Sequence, residues 1–149
     1  IRPAPDGTER HTLENILATE TYSVNAVTSA MAQRAHHTSA RFTRGQSEFD
    51  ACGFTEQWYE GFAAPSVSES PLQLGLKLAE HLPVSINGTH LIIGSIETIC
   101  MPDHAWRDDG SLDLHSMDIV AGVGLDAYHT VNTGQRFSYA RPDKPPELI

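Results

Sequence analysis

The sequence predicts a mainly β protein, a β-barrel with accessory helices, that folds as a single domain over residues 1–149. Two apolar segments near the middle of the chain carry this prediction. Over residues 70–80 leucines alternate with other residues, which is typical of a strand with one face in the core. Residues 91–101 are apolar at both parities, which indicates a strand covered on both sides, such as a barrel wall with an element packed outside it.

Short helical patterns and one β-type segment precede these strands. Leu13, Ile16 and Leu17 recur at helical spacing, and Ser29 is of a residue type that caps helix N-termini. Gly53 can adopt the left-handed conformation that closes a helix. The predicted elements are, in order, a helix over residues 8–19, a strand over 22–28, a helix over 29–37, a polar loop over 38–45 and a short helix over 45–53.

Turn signals divide the second half of the chain. Asn87-Gly88 and Asp109-Gly110 are pairs that favour tight turns. The first pair lies between the two central strands. The remaining predicted elements are a small helix over residues 118–124 and two final strands, over 127–131 and 136–140, around Asn132-Thr133-Gly134.

Charge and cysteine content exclude several classes of function. The chain has 10 Lys and Arg against 19 Asp and Glu, a net charge of −9 that repels nucleic acid and anionic lipid surfaces. No apolar run approaches the roughly 18 residues that span a bilayer, and the first residues lack the apolar core of a secretion signal. Cys52 and Cys100 are too few for a disulfide scaffold. We therefore expect a cytoplasmic protein with no nucleic-acid or membrane partner.

A polar loop supplies the first candidate binding site. Thr38, Ser39, Arg41 and Arg44 stand together in an otherwise acidic chain. Hydroxyls, free amides and guanidinium groups are the donors that bind a phosphate monoester. Thr12 lies near a helix start, where unpaired amides also favour anions. These residues predict a phosphate site, and the same composition also fits a solvated loop with ordinary surface arginines.

No catalytic side-chain machinery is recognisable in the sequence. The motifs GxSxG, GxxxxGK[ST], HExxH and GxGxxG are absent. His36 and His37 are adjacent and point to different faces of a helix, which does not suit a metal site. The two cysteines are expected to be buried, inert thiols. We predict neither a metal site nor a catalytic side chain, and we expect any chemistry to come from a cofactor that the protein binds and orients.

Several segments occur in an order and spacing that is more specific than any one of them. They are His11-Thr12-Leu13-Glu14-Asn15-Ile16, Tyr22-Ser23-Val24-Asn25, His37-Thr38-Ser39-Ala40 leading to Gly45 and Ser47-Glu48-Phe49, Glu69-Ser70-Pro71, Leu91-Ile92-Ile93-Gly94, Gly124-Leu125-Asp126-Ala127-Tyr128 and Phe137-Ser138-Tyr139-Ala140-Arg141-Pro142. In this order they resemble the flavin reductase-like, FMN-binding split-barrel family, which includes flavoredoxin-type proteins. The resemblance covers nearly the whole chain.

The resemblance implies a fold, a cofactor and a set of binding residues. It implies a split β-barrel that holds FMN, with FAD as the alternative, at the interface of a homodimer. Thr38, Ser39 and Ala40 would line the flavin site, and Thr12 would lie near the phosphate. Arg41 stands where relatives often have proline, so its contact with phosphate is inferred from its charge alone. The implied activity is NAD(P)H-dependent transfer of hydride or electrons through bound flavin to free flavin, a small molecule or a partner protein.

The family's barrel begins with strands that lie ahead of the first helix. Three strands with their turns need roughly 25 or more residues, whereas only residues 1–7 precede the predicted helix. We therefore expect that the sequence lacks an N-terminal segment, and that the split barrel lacks its first strands.

Two other functions remain open at this point. One is a non-catalytic flavin-binding or electron-transfer module, which would bind flavin without oxidising NAD(P)H. The other is a β-barrel domain that binds a different apolar ligand and has no affinity for flavin. The sequence does not distinguish NADH from NADPH.

Overall fold

The computed structural model describes residues 1–132 and 134–149. The chain is mainly β with accessory helices, as predicted. None of the helices in this described part is long and apolar enough to cross a membrane. The helices are α1 (His11–Thr19), α2 (Ala32–His37) and α3 (Glu48–Cys52), and the strands are β1 (Thr21–Asn25), β2 (Glu56–Gln57), β3 (Ser66–Val67), β4 (Gln73–Val84), β5 (Thr89–Cys100), β6 (Val120–Val123) and β7 (Ala127–Thr130).

Helix α1 forms because its apolar residues fall on one face. Leu13 and Ile16 are buried, with 2% and 6% of their surfaces exposed, as the helical spacing predicts, whereas Leu17, the third residue of that pattern, is 43% exposed. The helix ends where Glu20 adopts a left-handed conformation and donates its N–H to the carbonyl of Ile16. Helix α3 ends at Gly53, whose φ of 69° confirms the predicted glycine cap.

Helix α2 begins three residues later than predicted. Residues Ser29–Met31 form a 3₁₀ turn, and the Ser29 hydroxyl donates a hydrogen bond to the carboxylate of Asp118. The prediction of Ser29 as a helix N-cap is therefore wrong, because its side chain accepts no hydrogen bond from a helix amide. This side chain instead connects the start of α2 to the segment that precedes β6.

The main sheet has three antiparallel strands in the order β1-β4-β5. Strands β4 and β5 form a hairpin over the predicted Asn87-Gly88 turn, whose glycine has a φ of 65°. Each strand is 12 residues long, so β4 continues beyond its predicted end at residue 80. Two register shifts interrupt the alternation along the hairpin. Leu76 is buried, whereas Leu74 and Leu78 are half-buried.

The prediction that the second central strand is covered on both sides is wrong for this chain. Strand β5 lies at the sheet edge and pairs only with β4 among the described residues. Ile93, Ile96 and Ile99 are 41%, 54% and 52% exposed. The three-stranded sheet and the two-stranded sheets β2-β3 and β6-β7 do not close into a barrel within this described part. The apolar residues at both parities of β5 therefore meet no complete covering layer.

The C-terminal third departs most from the sequence prediction. The helix predicted over residues 118–124 is instead strand β6, where β-branched Val120 and Val123 favour the extended conformation and pair with β7. The strand predicted over 127–131 is confirmed as β7. The strand predicted over 136–140 is wrong, because the described residues contain only an isolated bridge from Phe137 to Leu148 there. The predicted turn includes residue 133, which lies outside the described residues.

Candidate functional site

The five residues predicted to bind a cofactor all line one cleft. This phosphate-type cleft has a volume of about 430 Å³ and lies between residues 1–10, the first turn of α1 and the loop after α2. The tertiary fold thus joins two segments that are about 25 residues apart in the sequence. The predicted residues in its wall are Thr12, Thr38, Ser39, Ala40 and Arg41.

The loop after α2 is held by hydrogen bonds to the last turn of that helix. The Thr38 hydroxyl donates to the carbonyl of Ala35, and the Ser39 hydroxyl donates to the carbonyl of His36, each at 2.7 Å. The N–H groups of Thr38, Ser39 and Ala40 also donate to α2 carbonyls. The free amides expected in this loop are therefore paired at these three positions. The two hydroxyl oxygens remain at the cleft wall in fixed positions, where they can accept hydrogen bonds or donate after rotation.

The first turn of α1 supplies donors that remain available. Among the described residues, no hydrogen bond involves the N–H or the hydroxyl of Thr12. The helix begins at His11, and His11 and Thr12 both line the cleft, whereas the next two amides, of Leu13 and Glu14, donate to the Arg10 carbonyl. The contact of Thr12 with an anion at this helix start stays a prediction.

The predicted arginines differ in their surroundings. Arg41 lines the cleft, and its guanidinium donates to the Asp6 carboxylate at 2.5 Å and to the Thr8 hydroxyl at 3.1 Å. Hydrogen bonds from the Thr8 hydroxyl and from Arg41 hold the pKa of Asp6 well below its usual range. Because the Arg41 side chain is 61% exposed, this ion pair can exchange with another anion. Arg44 forms an ion pair with Glu14 and is not among the lining residues.

Arg2 and Arg10 add further positive charge to the cleft. Neither takes part in an ion pair within residues 1–132 and 134–149. Glu9 and Glu48 lie in the same wall, and their negative charges offset those of the two arginines. The sequence pattern did not single out Arg2 or the two glutamates for this site, because no local motif indicates which charges will face a cleft.

A second cleft adjoins the first. It has a volume of about 380 Å³ and shares Thr12, Thr38 and Glu48 with the phosphate-type cleft. The two cavities therefore meet at these three side chains and offer a polar end beside a more apolar end. The remaining residues of this apolar cleft come from β1, α2, α3, β3 and the segments that flank them, and were not predicted from the sequence: Ser23, Asn25, Val27, Met31, Ala35, Phe49, Phe54, Pro65 and Val67.

The histidines and cysteines considered in the sequence make contacts that belong to the fold. His36 lies 3.2 Å from the Tyr128 hydroxyl, a contact that links α2 to β7. In the described part of the chain, no group of three or more His, Cys, Asp or Glu side chains is placed to hold a metal ion. Cys52 is buried, and Cys100 is half-buried beside Tyr59. The Tyr59 hydroxyl donates to Oε1 of Gln73 at 2.6 Å, and the neighbouring Cys100 thiol together with burial raises the pKa of Tyr59 to about 12.

Comparison with known proteins places this geometry in a family. A family model of the flavin reductase like domain matches residues 7–113. The chain is similar to a protein from Shewanella frigidimarina assigned as a flavin reductase with a split barrel domain, with 44% identity, a TM-score of 0.85, and coverage of 88% of this chain and 66% of that one.

Two more distant structures share the fold. Flavoredoxin of Desulfovibrio vulgaris is 22% identical, with a TM-score of 0.69 and coverage of 89% of this chain and 67% of that one. The FMN-binding domain of a flavin reductases-like enzyme from Shewanella baltica is 15% identical, with a TM-score of 0.68 and coverage of 83% and 66%. The chain spans about half to two thirds of the length of the curated relatives it matches.

The fold of the chain is accordingly that of a flavin reductase split barrel, whose sheets are not closed within the described residues. The family match includes α1, the loop after α2 and both central strands, and it covers the lining of both clefts except Ile1, Arg2 and Ala4. Because the family match spans well over half of the sequence, the chain belongs to the flavin reductase like domain family.

Proposed function

We propose that this chain binds FMN and acts as an NAD(P)H-dependent flavin reductase-like oxidoreductase. The observation that carries the proposal is the convergence of Thr12, Thr38, Ser39, Ala40 and Arg41 on one cleft of a flavin reductase like domain. Hydroxyls, helix amides and arginines form the donor set that a phosphate monoester needs. The residues present therefore fit the phosphate of FMN, and the FMN-binding domain from Shewanella baltica shares their fold.

The two clefts divide the binding task. In the phosphate-type cleft, the Thr12 hydroxyl and N–H would donate to the phosphate, and Arg41 would leave Asp6 to bind it. The fixed loop after α2 presents Thr38 and Ser39 at the boundary between the clefts. In the apolar cleft, aromatic side chains such as Phe49 exclude water from the ring system. One cleft thus binds the phosphate, and the adjoining cleft orients the ring system.

FMN, when bound, would supply the redox chemistry, which is transfer of hydride or electrons from NADH or NADPH to free flavin or another small acceptor. The chain's own residues bind the cofactor, orient it and control access to it. This division of labour accounts for an enzyme without a recognisable acid–base pair in its sequence. FAD is the alternative cofactor, since it carries the same ring and a phosphate in the corresponding place.

The first test is retention of flavin. The visible absorption spectrum of the purified protein is recorded before and after incubation with FMN, or in parallel FAD, followed by ultrafiltration. We expect a shifted spectrum that remains with the protein, and then NADH or NADPH oxidation that requires added FMN. Retained flavin without NAD(P)H oxidation would indicate a non-catalytic electron-transfer module. No retained flavin would contradict the proposal.

We further propose that the working form is a homodimer. Isoleucines are exposed on both faces of β5, and Ile96 on one face offers apolar surface that a second copy can cover. Ile96→Lys should reduce dimerisation in sedimentation velocity and reduce flavin retention. Val123→Lys is the matched control, because Val123 is equally exposed at 54% but lies on β6. A monomer that retains FMN at all concentrations would contradict this proposal.

A further inference from the structure

Two histidines on the β4-β5 hairpin connect the sheet to the phosphate-type cleft. The rings of His81 and His90 stack with centroids 5.0 Å apart, and Nε2 of His81 lies 2.7 Å from Nδ1 of His90. Nε2 of His90 lies 3.3 Å from Oε1 of Glu9. Glu9 in turn lines the cleft. The result is a continuous array from a sheet edge to a carboxylate at the binding site.

The hydrogen positions in this array follow from what each group can donate. An ionised carboxylate only accepts, so Nε2 of His90 carries the hydrogen that faces Glu9. Nδ1 of a neutral His90 is then an acceptor, and it receives the Nε2 hydrogen of His81. The hydrogen bond between the two histidines therefore favours the His90 tautomer whose Nε2–H lies on the side of Glu9, and the His90–Glu9 contact itself is electrostatic.

The array fixes the direction in which Glu9 points. The His90 side chain is only 15% exposed and is held by the hairpin, whereas the Glu9 side chain is 45% exposed. Without His90, the flexible carboxylate could turn toward Arg2 and Arg10, the two cleft cations without an ion pair among the described residues. It would then neutralise the charges that attract an anion.

We propose that His90, supported by His81, is a positioning residue that holds Glu9 away from the cleft cations and so sets the affinity of the cleft for a phosphate group. This inference rests on the proposed function, since it assigns the cleft to the phosphate of FMN. It deepens that function, because it predicts that discrimination between phosphorylated flavin and riboflavin depends on side chains that need not touch either one.

The test compares FMN with riboflavin, which has the same ring and no phosphate. Dissociation constants are measured by flavin fluorescence for the wild type and for four variants: His90→Ala, His90→Gln, Glu9→Gln and the double variant His90→Ala with Glu9→Gln. A free carboxylate near the phosphate should raise the Kd for FMN in His90→Ala by about three- to tenfold in partly exposed surroundings. The Kd for riboflavin should stay within about twofold of the wild type.

The other variants separate positioning from packing. The double variant has no carboxylate at position 9 that could turn toward the cleft cations. Its Kd for FMN should therefore return to the wild-type value or fall below it. His90→Gln keeps an N–H for Glu9 and should remain close to the wild type. Glu9→Gln, at a half-exposed position that should not affect folding, should leave the Kd for FMN unchanged or lower it. Added salt should reduce the difference between His90→Ala and the wild type.

Several results would overturn the inference. Equal weakening of FMN and riboflavin in His90→Ala, or no rescue in the double variant, would mean that His90 acts through packing. If His90→Ala does not fold, Glu9→Gln still tests the inference. Weaker FMN binding in Glu9→Gln would show that the Glu9 carboxylate favours phosphate binding, and that result would overturn the inference. A wild type that binds neither flavin would remove the proposed function and this inference with it. If the wild type binds FMN but the double variant does not restore the affinity, only this inference is lost and the proposed function stands.

Discussion

Replacing Gly94 with alanine should destabilise the main sheet, because another strand already occupies the space above this glycine. The hydroxyl of Tyr22, on β1, reaches across β4 to Gly94 on β5. A Cβ at Gly94 would lie 2.3 Å from this oxygen, 2.9 Å from the Tyr22 Cζ and 3.0 Å from the carbonyl oxygen of Lys77. The tyrosine must therefore move, and the carbonyl belongs to the sheet backbone and has little freedom to follow.

The size of the effect follows from this overlap. Overpacking a well-ordered site typically costs about 1–3 kcal/mol. For a chain of this length, each kcal/mol lowers the Tm by about 2–4 °C. We therefore expect the Tm of Gly94→Ala to fall by about 3–10 °C.

Thermal unfolding followed by circular dichroism measures this change. Gly122→Ala is the matched control, because Gly122 also lies in a strand but a Cβ added there would meet no atom of another described segment within 4 Å. That variant should leave the Tm nearly unchanged. Adding Tyr22→Phe to Gly94→Ala should recover part of the loss, since it removes the closest atom. Equal Tm values for Gly94→Ala and Gly122→Ala would refute the reasoning.

Two further predictions concern the site and the pH dependence of stability. Thr38→Val should weaken FMN affinity far more than it lowers turnover of the flavin-saturated enzyme, with Thr38→Ser as the control that keeps the hydroxyl; equal losses in both quantities would contradict the binding role. Burial opposes ionisation of Glu69, but hydrogen bonds from the Thr55 N–H and hydroxyl outweigh it and lower the pKa of Glu69. Its contribution is therefore present above the ordinary glutamate pKa of about 4.3 and is lost as the pH falls through the lowered value. The difference in unfolding free energy between wild type and Glu69→Gln should shrink in acid, and a constant difference between pH 7 and pH 3 would count against it.

Local chemistry accounts for the elements that the sequence predicted well. The spacing of Leu13 and Ile16 is enough to define the buried face of α1, since helical period and burial are linked within a few residues. Gly53 and Gly88 adopt left-handed conformations, which glycine favours. The segments of the phosphate-type cleft were identified in the same way, from residue types that suit anion binding together with the order that resembles the family.

Predictions failed where a distant partner decides the conformation. Residues 118–124 lack a strong period, and pairing of β6 with β7 made them a strand. The amides of Thr38, Ser39 and Ala40 were expected to be free. They instead donate to carbonyl groups near the end of α2, because the last carbonyl groups of a helix have no partner within it.

The sequence by itself determined the mainly β class, the central hairpin and the two segments that carry hydroxyls and arginines, because strand period, turn chemistry and donor type are local properties. Only the tertiary structure decided that these segments share one cleft, that an apolar cleft adjoins it, and that His90 faces Glu9. It also decided that β5 lies at an exposed edge. These features depend on contacts between residues far apart in the chain, and no local pattern specifies which distant surfaces will meet.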